Sequence, residues 1–137
     1  MRFWDSSALV PLVTVEATSA GAEALLAEDP SVAVWWATPV ECVSAIVRKG
    51  HGEPATGRAA SRLAEFALSW TEVPPSDRLR DQATRCVRVH GLRAGDALQL
   101  AAALVASEGS PDALDVVTLD DRLAHAASLE GFRVLPA

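Results

Sequence analysis

The stretch Arg2-Phe3-Trp4-Asp5-Ser6-Ser7-Ala8-Leu9-Val10 decides the fold of this chain. Its apolar opening is long enough only for a strand, and the residues after Asp5 predict a helix. An acidic residue between a buried strand and a helix lies where open α/β sheets bind their ligands. Asp is also a preferred helix N-cap, and that role alone would explain Asp5. The choice depends on whether other acidic residues reach the same edge of the sheet.

Apolar stretches and helical patterns alternate along the whole chain. The predicted strands are residues 2–5, 32–36, 70–73, 116–118 and 132–135. The predicted helices are residues 6–13, 16–27, 38–49, 53–68, 77–89, 93–106 and 120–130. This alternation predicts a single α/β domain over residues 1–137, with a mainly parallel five-stranded sheet and helices on both faces.

Local signals mark several of the helices. Thr38 is a suitable N-cap, Pro39 then takes the first helical position, and Glu41 completes the spacing of a capping box. Ser76 is expected to cap a helix that Gly91 ends. The helix at 93–106 is apolar nearly all round, so we expect it to be central and buried.

Composition narrows the classes of protein. The chain has 137 residues, half of them hydrophobic, and a net charge of −6, which is unlike the basic footprint of most nucleic-acid-binding domains. Cys42 and Cys86 are expected to be core residues in a reducing compartment. Asp5 interrupts the apolar start, and no run is long enough to span a membrane, so we expect a cytoplasmic protein without a signal peptide or membrane contact.

Four acidic residues follow predicted strands or open predicted helices. Asp5 follows the first strand, Glu41 lies in the first turn after the second, Asp96 opens the apolar helix, and Asp120 follows the strand at 116–118. Each alone has a capping or helix-dipole explanation. In a parallel sheet they share one edge, where they repel each other unless a cation intervenes. Mg²⁺ and Mn²⁺ prefer such oxygen ligands.

The order of these residues resembles the PIN domain family. Residues 3–10 are similar to its opening motif and Thr38-Pro39-Val40-Glu41 to its second. Leu92–Ala101 is similar to the third, and Val117–Leu123, with its Thr-x-Asp, to the fourth. The resemblance covers the whole chain, and the length is similar to that of the toxin of a VapBC-type toxin–antitoxin pair.

The resemblance implies a metal-dependent endoribonuclease that acts on RNA. The catalytic carboxylates it implies, which would hold one or two Mg²⁺ or Mn²⁺ ions, are Asp5, Glu41, Asp96 and Asp120. Ser6 and Thr118 are candidates for holding a ligand or a water around the metal. The Thr118-x-Asp120 spacing favours Asp120 as the last acid. Asp121 has capping-box spacing from Thr118, so it is either a cap or an outer ligand.

An RNA enzyme of net negative charge needs local cations for the phosphates. The candidates for RNA contacts are Arg78, Arg85, Arg88 and Arg93. The alternative is a solvated, salt-bridged face, with Asp81 paired to Arg85 at i, i+4. The resemblance also implies an antitoxin that lays an apolar helix in a groove and places a cation against the acids, and a second copy of this chain in a homodimer.

Other classes of protein fit less well. A haloacid-dehalogenase-like phosphatase would need a second Asp where Ser7 stands, and a receiver-like domain would need a lysine late in the chain, whereas the only lysine is Lys49. The histidines at positions 51, 90 and 125 lack zinc-site spacing and are expected at the surface or at helix ends. A catalytically silent PIN-like binding module remains as the non-enzymatic alternative.

Overall fold

The computed structural model describes residues 1–50 and 52–137, so the expectation for His51 lies outside the described residues. Its sheet has five strands in the order β3-β2-β1-β4-β5, and every pairing is parallel. The strands are β1 Arg2–Trp4, β2 Val32–Trp35, β3 Thr71–Val73, β4 Asp115–Val117 and β5 Val134–Leu135. The predicted fold class is therefore confirmed, with strand ends shifted by one or two residues.

Helices cover both faces of this sheet. They are α1 Ser6–Leu9, α2 Ser19–Glu28, α3 Thr38–Lys49, α4 Glu53–Ala67, α5 Asp77–His90, α6 Ala94–Ala106 and α7 Asp121–Leu129. A short 3-10 turn, Val10–Leu12, extends α1. The side chain of Ser76 accepts a bond from the Leu79 N–H at 3.1 Å, and Gly91 ends α5 in the left-handed conformation, as predicted.

The side-chain alternation of the strands divides the core into two layers. Phe3 and Val116 pack with the layer that contains α5, α6 and α7, whereas Trp4 and Val117 pack with α1 to α4. Successive residues of a strand point to opposite faces, so a strand buried on both sides must be apolar throughout. Strand β1 lies at the centre of the sheet, between β2 and β4. Asp5, which follows β1, therefore lies between the ends of the neighbouring strands and is buried.

Two helix faces differ from what the apolar spacing predicts. In α2 that spacing predicts a buried face with Ala20 and Ala24, but both are exposed and the buried residue is Ala22. For α4 it predicts a face with Leu63 and Leu68; Leu63 is buried, but Leu68, just after the helix, is 88% exposed. Both helices are rich in alanine, so the apolar pattern marks no single stripe and cannot select the side that faces the core.

The cysteines are core residues, as expected. Cys42 and Cys86 are both buried and unbonded to each other. Burial raises the pKa of the Cys42 thiol to about 12. Among the described residues no helix is both long and apolar enough to cross a membrane.

Candidate active site

Asp5 is held at the carboxyl end of the central strand by a set of hydroxyl groups. Its side chain caps α1 by accepting from the Ser7 N–H at 3.3 Å, and Oδ2 also accepts from Ser7 Oγ at 2.5 Å and Thr118 Oγ1 at 2.9 Å. The residue is 3% exposed. Capping and site placement are therefore compatible, because both follow from its position between a strand and a helix. Oδ1 accepts from the Ser6 hydroxyl at 3.4 Å.

Thr118 and Ser7 join the ends of β1 and β4. Leu119 N donates to Ser7 Oγ at 2.9 Å, and Asp120 N donates to Thr118 Oγ1 at 3.1 Å. The backbone N–H of Asp5 donates to Val117 O at 3.0 Å. Ser7, which the sequence analysis did not single out, therefore positions Asp5 as directly as Thr118 does.

Asp120 is the N-cap of α7, and its Oδ1 accepts from the Leu123 N–H at 2.9 Å. Asp121 is the first residue of that helix and is exposed. The expectation that Asp121 could act as the cap is wrong, because Asp120 already has the extended backbone and the side-chain bond of a cap. Asp120 is half-buried at the same edge of the sheet as Asp5.

Glu41 is held by α6 and not by a capping box. Thr38 is already helical and makes no cap bond, because Ala37 is the N-cap of α3. The Thr38 hydroxyl is buried and accepts from Gln99 Nε2 at 3.1 Å, and the same amide donates to Glu41 Oε1 at 3.2 Å. Ser6 Oγ approaches Glu41 Oε2 at 3.5 Å, which places this hydroxyl between Glu41 and Asp5. The predicted Thr38–Glu41 capping box is therefore wrong.

Gln99 is another site residue that sequence reasoning missed. It is 1% exposed, and its Oε1 atom has no hydrogen-bond partner among the described residues. The available signal was the spacing of Asp96 and Gln99, because residues three apart share one face of a helix. They are the two polar residues of the otherwise apolar α6.

The acidic side chains interact electrostatically across the site. Burial, and then the charge of Asp5, raise the pKa of Glu41 to about 7, with a smaller contribution from Asp96. Burial also raises the pKa of Asp96, followed by the charges of Asp120 and Asp5. The structure thus brings all four predicted carboxylates near one another, from four separate parts of the chain.

No cation neutralises this cluster in the part of the chain that the structure describes. None of the four acids is in an ion pair there, although Arg122 and Arg93 lie near enough to Asp96 to favour its charged form. At the amino ends of the strands, by contrast, Asp115 is paired with Arg2, at 3.5 Å, and with Arg133. The four carboxylates at the carboxyl ends of the strands therefore keep an excess of negative charge.

These carboxylates do not form a closed cage. Over the residues described, no three side chains of the acidic, histidine or cysteine type are grouped so that together they could hold a metal ion. Mg²⁺ commonly uses one or two protein carboxylates, with waters and substrate phosphates completing its shell. An open group of carboxylate oxygens with excess negative charge fits a hard divalent cation of this kind.

The predicted RNA-contact arginines lie in different surroundings. Arg78, Arg88 and Arg93 are exposed. Arg85 is bound to Glu130, with one bond at 3.2 Å and a second, shorter one, so the expected pair with Asp81 is wrong.

His90 binds the same carboxylate of Glu130. Its Nε2 lies 2.8 Å from that carboxylate, and its side chain is only 6% exposed, so His90 is at a helix end but not on the surface. Glu130 thus joins α5 to the end of α7.

Comparison with known proteins gives one family and several solved structures. The model of the PIN domain matches residues 2–129. No curated protein matches the chain significantly. The chain is similar to VapC20 of Mycobacterium tuberculosis, a toxin that cleaves the sarcin-ricin loop, with a TM-score of 0.72 and 20% identity over 96% of each chain.

Two further structures share the fold. PAE2754 from Pyrobaculum aerophilum has a TM-score of 0.67 and 21% identity, over 98% of this chain and 83% of that one. A toxin–antitoxin complex from Klebsiella pneumoniae has a TM-score of 0.67 and 16% identity, over 88% of this chain and 87% of that one. Similarity at these identities establishes the fold alone.

Proposed function

Because the chain belongs to the PIN domain family, we propose that it is a metal-dependent endoribonuclease, the toxin of a VapBC-type toxin–antitoxin pair. The activity would lie within a single domain of residues 1–137. The observation that carries the proposal is the meeting of Asp5 and Glu41 on either side of the Ser6 hydroxyl, at 3.4 and 3.5 Å. Similarity in fold to a toxin that cleaves the sarcin-ricin loop supports it.

The proposed metal ligands are Asp5, Glu41, Asp96 and Asp120. When bound, Mg²⁺ or Mn²⁺ would supply a hydroxide-like nucleophile at neutral pH and neutralise charge on the phosphate. Asp5 is suited to this role because Ser7 and Thr118 occupy its Oδ2 and leave Oδ1 available. Hydrolysis by water, and not by the 2′-hydroxyl of the RNA, would leave a 5′-phosphate and a 3′-hydroxyl.

The side chains around the ligands keep them in place. Gln99 Nε2 donates to both Glu41 and Thr38, and this contact restrains the Glu41 carboxylate. The caps of α1 and α7 fix Asp5 and Asp120 in the same way. Ligand orientation of this kind commonly changes metal affinity by about 10- to 100-fold. Ser6, Thr118 and the exposed Asp121 are proposed as outer contacts to metal-bound water.

RNA phosphates would meet exposed arginines at the rim of the site. Arg93 lies beside Asp96, and Arg122, which the sequence analysis did not select, lies there too. Arg78 and Arg88 extend the exposed positive surface along α5. Arg85 is the weakest of the predicted RNA contacts, because its guanidinium is already bound to Glu130.

We also propose control by an antitoxin and assembly as a homodimer in the cytoplasm. An antitoxin could place an Arg or Lys against the four carboxylates, where that cation would offset the same repulsion as Mg²⁺. Inhibitor and metal should therefore compete. Similarity to one chain of a toxin–antitoxin complex supports a protein partner of this class.

The test is titration of Mn²⁺ by calorimetry with the wild type and Asp5→Asn, together with cleavage of unstructured RNA. We expect Asp5→Asn to lose both metal binding and cleavage. If the protein is a catalytically silent binding module, Asp5→Asn should change neither metal binding nor cleavage. A wild-type protein that binds no divalent ion and cuts no RNA would refute the nuclease and favour the binding module.

A further inference from the structure

A cleft of about 710 Å³ opens beside Glu41 and runs along α3. Ser6, Glu41 and Leu119 line its end at the carboxylates, and Arg48 and Lys49 line its far end. Glu41 and Arg48 are seven residues apart, so they lie on one face of the helix, about 10 Å from each other along its axis. The cleft therefore leads from the acidic site to a pair of cations.

The two cations are not equivalent. Lys49 Nζ donates to Glu16 Oε1 at 2.6 Å, and Thr14 Oγ1 donates to the other oxygen of Glu16 at 2.5 Å. Arg48 is exposed and has no ion pair with any residue that the structure describes. Lys49 is thus largely neutralised by a carboxylate of the chain, whereas Arg48 offers its charge to a ligand.

We propose that this cleft binds the unpaired RNA strand next to the scissile phosphodiester, with Arg48 on a neighbouring phosphate. The inference rests on the proposed ribonuclease function. A strand whose phosphate is cleaved at Glu41 must continue past the carboxylates, which repel its other phosphates. Arginine is the residue best suited to bind phosphate with two parallel hydrogen bonds. Val40 and Leu119 give the cleft apolar surface for a sugar or a base.

An acidic protein segment could also bind Arg48, but the position of the cleft favours RNA. A peptide has no need to enter the carboxylate site, whereas a substrate strand must pass through it. The proposal therefore concerns RNA, and an acidic partner is one outcome of its test.

The experiment measures binding of a short unstructured RNA by fluorescence anisotropy in Mg²⁺. The whole chain is used with Asp96→Asn, so that the probe is not cut. Arg48→Gln should weaken binding about tenfold, as expected for a lost charged hydrogen bond. It should also reduce the salt dependence of log K by about 0.7. Arg48→Lys should keep the salt dependence and regain only part of the affinity.

Two further variants guard against effects of folding and net charge. Glu16→Gln releases Lys49 and removes a carboxylate from the cleft, so it should tighten RNA binding, which a merely damaged fold cannot do. Arg62→Gln removes the same charge as Arg48→Gln from α4, outside the cleft, and should leave binding nearly unchanged. An equal loss in Arg62→Gln and Arg48→Gln, or no loss in Arg48→Gln, would overturn the proposal.

The remaining outcomes separate the cleft from the nuclease. If Arg48→Gln binds RNA normally but no longer co-purifies with its antitoxin, we would assign the cleft to an acidic protein segment. Wild-type protein that cuts no RNA, with Arg48-dependent binding intact, would refute the nuclease and support the cleft as an RNA site. If Arg48→Gln still cleaves RNA with an unchanged KM, the result would support the nuclease and refute the cleft as an RNA site.

Discussion

Glu41→Gln should stabilise the metal-free protein at the same time as it removes its activity. The carboxylate of Glu41 lies beside Asp5 in a half-buried position, and its pKa of about 7 means that the fold disfavours its charge. Glutamine keeps the size of the side chain and can still accept from Gln99. The substitution therefore removes the repulsion and retains the contact.

The size of the effect follows from the change in pKa from 4.5 to about 7. That change corresponds to at most about 3 kcal/mol of unfavourable charge in the folded state. Solvent screening at a half-buried site reduces this to about 1–2 kcal/mol. Below the unfolded pKa, Glu41 is neutral in both states and the penalty is absent. It grows as the unfolded chain loses its proton first and is complete above about pH 7.

Urea unfolding at about pH 5 and about pH 8 measures this difference. At the higher pH, Glu41→Gln should be the more stable protein by about 1–2 kcal/mol, and the gap should shrink towards the lower pH. Glu65→Gln, at an exposed position on α4, is the matched control and should show no such trend. Added Mg²⁺ should stabilise the wild type and narrow the gap. A less stable Glu41→Gln at the higher pH, or a gap independent of pH, would refute the reasoning.

Four other substitutions test the site. Asp96→Asn should abolish metal-dependent cleavage of RNA while circular dichroism and thermal unfolding remain close to wild type; full activity would remove Asp96 from the site. Asp120→Asn should eliminate cleavage and Asp121→Asn should not, because only Asp120 is half-buried at the site; the reverse result would exchange their roles. Gln99→Leu should weaken Mn²⁺ affinity in calorimetry by about 10- to 100-fold. It should also destabilise the fold by about 1–3 kcal/mol, since Thr38 loses its partner, and unchanged affinity would deny Gln99 a positioning role.

The strands and the position of the acids were predictable, because both depend on local pattern. Each strand is a short apolar run, and a parallel sheet places whatever follows those runs at one edge. Asp5 and Asp120 could be placed in this way without knowledge of any contact. Their roles as helix caps were also predictable, since a cap bond joins residues two or three apart.

Contacts between distant elements could not be predicted. Gln99 binds Thr38 and Glu41 across about sixty residues of chain. From local sequence, Thr38 could be paired only with Glu41, in the expected capping box. Arg85 had a local partner at i, i+4 in Asp81, but bonds to Glu130, which lies 45 positions away. Helical periodicity identifies the face on which a polar side chain lies, not the helix that packs against that face.

The bond from Thr118 to Asp5 spans 113 positions of the chain, and it has a consequence for how the protein is made. Strand β1 is synthesised early, but its neighbour β4 in the sheet is encoded more than a hundred residues later. Contacts so distant in sequence form late in folding, because a long loop must close before they can be made. On the ribosome, Asp5 therefore lacks its bond from Thr118 until residue 118 has been synthesised. Nascent chains that end before β4 cannot complete the carboxylate site, so translation itself delays the appearance of that site.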